Sequence, residues 1–253
     1  MPDNNSYFKQ NISGILRCSR YAFGPNKLHY CGPDKNEEIL AYLENNRQDF
    51  GLKGLLQEFK TMYPYLCHIA RENKIKDPFD DRVVEAYWLG NELLETIEKK
   101  QFYRHLKEGL DLEKKLNHKL FNQVTEKIRR GALPHHSFHV LDIWKRTGNL
   151  ETEHTLESLD NCRISWGQVQ KVEGPFVTLK TKPLIIRNGK LGLGEPIFKK
   201  LTRHLESSGL EQLKPNDIVS FHWNALCEVI TKKQAVALEK YTLLHLNLAN
   251  QTI

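Results

Sequence analysis

The sequence has few cysteines and no long apolar run. Its five cysteines, in 253 residues, form no CxxC pair and are odd in number, so a disulfide framework is not expected. No apolar run approaches the thickness of a bilayer, and the opening MPDNNSYFKQ lacks the charged and then apolar segments of a signal peptide. We therefore expect a cytoplasmic protein without a membrane partner.

Motifs of several enzyme classes are also missing. The segment from Leu191 to Gly194 lacks the third glycine and the following helix of a dinucleotide site. There is no GxSxG nucleophile motif and no paired-carboxylate motif. These absences favour an accessory protein over a conventional enzyme, and the sequence assigns no catalytic residue.

The charge is positive but spread out. The formal net charge is +6, and 27% of the residues are charged beside 40% hydrophobic ones, which is typical of an ordered globular protein. Lysines and arginines occur as scattered pairs, not as one stripe with interleaved aromatic residues. Nucleic-acid binding is therefore not expected.

The first half of the chain predicts helices. Turn-forming clusters at 24–26 and 31–34 indicate an irregular N-terminal arm. Helical periodicity follows, and it includes one long helix from Phe102 to Arg130 with an apolar residue at every fourth position from Leu112 to Ile128. We predict an antiparallel helical bundle as a first domain, residues 1–158.

The second half predicts short strands, so the fold class is α+β. Turns at Gly174-Pro175 and Asn188-Gly189 separate the strands, while the polar segment 196–214 indicates an insertion or a short helix. Thr231 and Gln234 fit a capping box that opens a last helix. We predict a small β-barrel with a C-terminal helix as a second domain, residues 159–253.

Two motifs in this second half carry a resemblance. In CRISWGQV, which begins at Cys162, a cysteine is followed five residues later by a glycine and then by a strand. In DIVSFHWNAL, residues 217–226, a strand carries His222 before a small turn and an alanine. Both motifs, their order and the closing helix resemble the HypC/HupF-type chaperones of nickel–iron hydrogenase maturation.

The resemblance implies a HypC-like barrel and an assembly function. It implies that Cys162 and His222 bind an iron precursor carrying carbon monoxide and cyanide, with a maturation scaffold or the hydrogenase large subunit as the protein partner. Cys162 is internal here, and Trp166 stands where those chaperones have proline. The alternative is therefore a buried strand cysteine without an iron role. The whole chain also resembles an uncharacterised bacterial family, a domain of unknown function, which implies no activity.

A histidine cluster provides a second candidate site. His135, His136 and His139 follow Pro134, and His135 and His139 are four residues apart, so they share a face of a helix or a strand. Asp142 is a candidate third ligand or second-shell partner. The cluster predicts a metal-dependent enzyme, with zinc as the alternative to iron, unless these histidines are satisfied by hydrogen bonds. A third interpretation is a metal-free protein-interaction module.

Overall fold

The chain combines helices with an antiparallel sheet, as expected for the α+β class. A computed structural model describes residues 13–143, 154–203 and 210–252. Helices dominate the first of these ranges, and all the strands lie in the other two. In the described part of the chain, no helix has both the length and the apolar character needed to cross a membrane.

The first described range folds into short α-helices joined by tight turns. In chain order they are α1 (Gly14–Lys27), α2 (Asn36–Glu44), α3 (Phe50–Gln57), α4 (Met62–Glu72), α5 (Asp81–Trp88), α6 (Lys99–Arg104), α7 (Leu112–Lys115), α8 (His118–Arg129) and α9 (His136–Asp142). A 3-10 turn covers Glu92–Leu94, and a π-helical turn covers His105–Gly109. Their arrangement as an antiparallel bundle stays a prediction.

The predicted irregular arm is wrong for the residues that form α1. Ser13 caps the helix start by accepting a hydrogen bond from the Leu16 amide, and the helix continues through Gly24 and Pro25. Almost every side chain from Leu16 to Asn26 is buried, so tertiary packing overrides the turn preference of the sequence. Residues 1–12 of the predicted arm lie outside the described residues.

The predicted long helix from Phe102 to Arg130 is also wrong. Asp111 has a left-handed backbone with φ 54°, which separates the π-helical turn from α7. Asn117 then starts α8, because its side chain accepts a hydrogen bond from the Leu120 amide at 2.8 Å. The apolar stripe is nevertheless largely buried, so it forms a core without one continuous helix.

The later ranges contain one further helix, the sheet and the closing helix. They comprise α10 (Leu156–Cys162), β1 (Ser165–Glu173), β2 (Phe176–Thr181), β3 (Leu184–Arg187), β4 (Lys190–Leu193), β5 (Ile197–Thr202), β6 (Ile218–His222), β7 (Ala225–Ile230) and α11 (Lys232–Ala249). The predicted capping box at Thr231 and Gln234 is present at the start of α11.

The predicted barrel is not closed. Five antiparallel strands form an open sheet in the order β5-β2-β1-β6-β7, and β3 pairs with β4 in a separate hairpin. A barrel requires its two end strands to pair with each other, and here β5 and β7 remain edges. Strand β5 occupies part of the predicted polar insertion, and all of its residues pair with β2. Leu201 is buried and Lys199 half-buried on one face, while Phe198 and Lys200 are exposed on the other.

One apolar core joins the two halves. It combines side chains from α1 to α9 with Ile164, Cys227, Ile230 and Tyr241 from the second half. At the same junction Glu228 of β7 is buried and accepts hydrogen bonds from Arg17 and Tyr21 of α1. The division at residue 158 therefore stays a prediction.

Candidate metal centre

Three potential metal ligands meet where α9, α10 and β6 come together. His136 begins α9, Cys162 ends α10 and His222 ends β6. One ligand atom of each residue lies within 4.8 Å of the ligand atoms of the other two. Both histidines are buried and the cysteine is half-buried. The fold therefore brings three residues that are distant in the sequence to one place at the edge of the core.

The ring of His222 is held in one tautomer. Its Nδ1 lies 2.7 Å from the carbonyl oxygen of Tyr21, and because a carbonyl can only accept, Nδ1 carries the proton. In an α-helix that carbonyl would accept from the amide of residue 25, but Pro25 has no N–H. The lone pair of neutral His222 is therefore on Nε2, which is buried and makes no hydrogen bond of normal geometry with the described residues.

A close approach of α1 to β6 makes this bond possible. A Cβ atom placed on Gly24 would lie only 2.5 Å from the carbonyl oxygen of His222. Only glycine leaves space for the strand at this point. The dipeptide Gly24-Pro25 therefore supplies both the space and the free carbonyl that position His222.

His136 is held through both ring nitrogens. Its Nε2 donates to the carbonyl of Cys162 at 2.8 Å, and its Nδ1 accepts from the hydroxyl of Tyr87 at 3.1 Å. The ring also packs against Trp88, with centroids 4.6 Å apart, and against His222 at 5.2 Å. If Nε2 bound a metal, Nδ1 would carry the proton and donate to the Tyr87 hydroxyl, which would stand where a carboxylate, a carbonyl or a water is the usual outer partner of a metal-bound histidine.

The end of α10 that carries Cys162 is fixed on both sides. The Trp223 amide donates to the carbonyl of Asn161 at 2.9 Å, which ties α10 to the turn between β6 and β7. The buried Arg163 donates to the carbonyl of Lys182 at 2.7 Å. Cys162 is therefore a rigidly placed helix-end residue, and the alternative of a buried strand cysteine is wrong.

Burial keeps the two histidines neutral. It lowers the pKa of His222 to about 4, against the weaker opposing effect of the carbonyls of Tyr21 and Cys162. It also lowers the pKa of His136 well below the ordinary value, and the neighbouring His222 adds to this effect. Neutral imidazoles are the form that binds metal ions. His222 offers its Nε2 lone pair as it stands, whereas His136 would move its proton from Nε2 to Nδ1 and give up its bond to the Cys162 carbonyl on binding.

The three donors form part of the wall of a cavity of about 280 Å³. The rest of the wall is largely apolar and includes Ala22, Pro25, Phe59, Met62, Trp88 and Val140. An ion bound by three protein ligands at such a wall would keep one or more coordination positions facing the cavity. The arrangement could therefore support both metal binding and access by a small ligand.

Comparison with known families gives one result. A family model described as Family of unknown function (DUF6390) matches residues 10–253. The chain belongs to this family. No curated protein and no solved structure matches the chain.

The structure brings together Cys162 and His222, the pair indicated by the HypC resemblance, and adds His136 from the second predicted cluster. Two sites that the sequence kept separate therefore coincide in this member of DUF6390.

His135 lies outside this group. It caps α9 with an extended backbone, so the helical four-residue rule does not relate it to His139. Its Nδ1 accepts from the Ser137 amide at 3.1 Å, and its ring stacks on Tyr241 at 5.2 Å. The expectation that His135 and His139 present one metal-binding face is therefore wrong.

The two other candidate residues of this segment, His139 and Asp142, also lie outside the three-donor group. His139 is buried on the cavity wall but is not a member of the three-donor group. Asp142 forms a buried ion pair with Lys127, with Nζ and Oδ1 3.0 Å apart. Asp142 is not a member of the three-donor group, and its predicted role as a ligand or an outer partner stays a prediction.

Sequence reasoning missed the residues that position the ligands. Tyr87 and Trp88 contact His136, and Pro25 frees the carbonyl that orients His222. Only the position of Pro25 could have indicated this free carbonyl, because a proline inside a helix leaves the carbonyl four residues earlier without its amide donor.

Proposed function

We propose that this protein is an accessory protein that binds one transition-metal ion through Cys162, His136 and His222. The observation that supports the proposal is the convergence of the three ligand atoms within 4.8 Å inside a cavity wall. Neutral imidazoles with one thiolate suit iron or zinc, whereas magnesium and calcium prefer oxygen ligands.

The finer proposal is a carrier of the iron precursor in nickel–iron hydrogenase maturation. Low-spin iron takes six ligands, so three protein donors leave three positions, the number that one carbon monoxide and two cyanides occupy. The adjoining cavity has space for these diatomic ligands. The bound fragment would then pass to a protein partner, either a maturation scaffold or the hydrogenase large subunit.

A zinc enzyme is the second candidate. Catalytic zinc sites use three protein ligands and leave a position for water or substrate, whereas structural sites are closed by four ligands. Three protein donors beside a cavity favour this alternative, because they would leave a coordination position of the zinc open to water or substrate. Zinc would lower the pKa of a bound water and create a nucleophile facing the cavity.

Anaerobic purification distinguishes these candidates. The chain is produced together with the hydrogenase-maturation proteins, its metal is quantified, and infrared spectra are recorded in the carbon monoxide and cyanide region. Cys162→Ala removes the thiolate. Cys67→Ala is the matched control, because Cys67 is half-buried in α4 and is not among the described residues that line the cavity.

Each result has a distinct meaning. Iron with carbon monoxide and cyanide bands in wild type and Cys67→Ala, absent from Cys162→Ala, supports the iron carrier. Stoichiometric zinc without these bands supports the enzyme. A wild-type protein that binds neither metal, even after incubation with excess Zn²⁺ or Fe²⁺, refutes the metal-binding proposal.

A further inference from the structure

The cavity next to the three donors has a wall that is fixed by specific contacts. Asn26 is buried, and its side-chain amide donates to the carbonyls of Cys31 and Pro33 at 2.8 and 2.7 Å. Gly32 has φ +83° and packs against Phe59, where a Cβ atom would lie 2.4 Å from the ring. This side of the cavity is therefore preformed, as in most small-molecule sites.

The cavity is large enough for a small organic molecule, and it reaches the surface at the exposed residues Glu58 and Lys60. Its volume is about 280 Å³. An apolar cavity of about 150 Å³ binds benzene. The available space therefore corresponds to a molecule of one or two rings.

The wall also indicates the polarity of such a molecule. Among the described lining residues, Glu58 and Lys60 are the charged ones, and both are exposed. The rest of the lining is mainly apolar and aromatic, including Trp88 and Phe59, together with the buried imidazoles and uncharged polar groups such as those of Tyr87 and Thr61. A charged molecule would lose its hydration there without finding a buried counter-charge.

We infer that this cavity binds an uncharged, mainly apolar organic molecule of one or two rings, which would be the substrate or the specific ligand of the protein. The apolar body of the molecule is recognised by the wall alone. Contact between a donor atom of the molecule and a metal ion rests in addition on the proposed function.

The test uses indole as the uncharged probe and indole-2-carboxylate as its anionic counterpart. Both are titrated into the metal-free, full-length protein by calorimetry. We expect saturable binding of one indole per chain and at least about tenfold weaker binding of the carboxylate. Because the protein is metal-free, the result does not depend on whether a metal binds.

Two variants locate the binding. Val140 lines the cavity and is 1% exposed, so Val140→Phe should fill the space and abolish indole binding. Val236 is 67% exposed on α11, so Val236→Phe, the same substitution outside the cavity, should leave binding unchanged. If Val140→Phe does not fold, the wild-type protein gives the answer, since bound indole should slow alkylation of Cys162 by iodoacetamide.

The outcomes separate this inference from the proposed function. No saturable indole binding to folded wild type, equal binding by both variants or unchanged alkylation of Cys162 overturns the cavity-ligand inference. Repeating the titration after incubation with Co²⁺ tests the metal separately. Indole binding without cobalt binding supports the inference and refutes the metal proposal, and cobalt binding without indole binding does the opposite.

Discussion

The side chain of His222 donates its Nδ1 proton to the backbone carbonyl of Tyr21 over 2.7 Å. This bond fills the position in α1 that Pro25 leaves without a donor. It also directs the Nε2 lone pair of His222 away from α1, so a feature of the first helix determines which nitrogen can bind a metal.

Replacing Pro25 by alanine tests this relationship. The new amide of residue 25 would compete for the Tyr21 carbonyl, and the His222 ring would lose the acceptor that fixes its tautomer. We expect Co²⁺ affinity to fall by about tenfold to a hundredfold. The thermal unfolding temperature should stay constant or rise, because proline inside a helix is unfavourable.

The matched control is Pro64→Ala, in the first turn of α4, where proline removes no intrahelical hydrogen bond. It should leave Co²⁺ affinity unchanged. Nitrogen chemical shifts of His222 report the tautomer directly. An unchanged tautomer in Pro25→Ala would show that other contacts orient the ring.

The sequence predicted which segments are helices and strands better than it predicted where each of them begins and ends. The closing helix follows from a local capping signal at Thr231, which the structure confirms. The α1 helix could not be predicted, because the cost of Pro25 is offset by a hydrogen bond from a residue about two hundred positions later. Likewise β5 lies within the largely polar segment 196–214, and its identity as a strand depends on pairing with β2.

Seven buried histidines in the described part of the chain should make the fold sensitive to acid. Burial lowers the pKa of His68 and His222 to about 4 and that of His135 and His139 to about 3. The remaining three are also shifted far below the ordinary value; they are His105, His136 and His245. In the unfolded chain each histidine has a pKa of about 6.5.

The sign follows from proton uptake. Below about pH 6.5 the unfolded chain binds more protons than the folded one, so the free energy of unfolding falls as the pH falls. Burial raises the pKa of Asp142 to about 7 and also raises that of Glu228 and Asp81, so these three carboxyl groups oppose the trend by at most three protons against those of seven histidines. We expect a loss on the order of 10 kcal/mol between about pH 7 and pH 5, comparable with the whole stability of a domain.

Urea unfolding at a series of pH values measures this effect. His68→Phe keeps a ring beside His105 and removes one titrating group, so the pH dependence should become less steep. His118→Phe, at an exposed position of α8, should retain the steepness of wild type. A free energy of unfolding that is constant from about pH 7 to pH 5 would contradict the prediction.

The buried carboxylate of Glu228 should couple docking of α1 to the metal site. It accepts from the Tyr21 hydroxyl at 2.8 Å and from Arg17 Nε at 3.1 Å. Glu228→Ala leaves these donors with fewer partners, which should lower the free energy of unfolding by about 1–3 kcal/mol. Co²⁺ affinity should fall as well, because Tyr21 also provides the carbonyl for His222.

Glu228→Gln is the conservative variant, since its amide oxygen still accepts a hydrogen bond. It should recover part of both losses in urea unfolding and in Co²⁺ titration. If Glu228→Ala lowered stability without changing Co²⁺ affinity, docking of α1 would not control the position of His222.

The metal-ligand types could be predicted from the sequence, but their combination could not. Cys162, His222 and the histidine segment after Pro134 were all candidates before the fold was known. Their convergence depends on the packing of the end of α10 against the turn between β6 and β7. This packing cannot be predicted from any local sequence pattern. Spacing favoured His135 with His139, whereas the extended backbone at His135 directs neighbouring rings to different sides.

Neighbouring histidines therefore provide the sharpest comparison. His136→Ala should reduce bound Co²⁺ to background and remove the thiolate-to-cobalt absorption, because the site loses one of three donors. His135→Ala should lower the free energy of unfolding by about 0.5–2 kcal/mol through loss of the α9 cap. It should leave cobalt stoichiometry and spectrum unchanged, since its ring packs on Tyr241. Loss of cobalt from folded His135→Ala, with retention in His136→Ala, would reverse the assignment and make His135 the ligand.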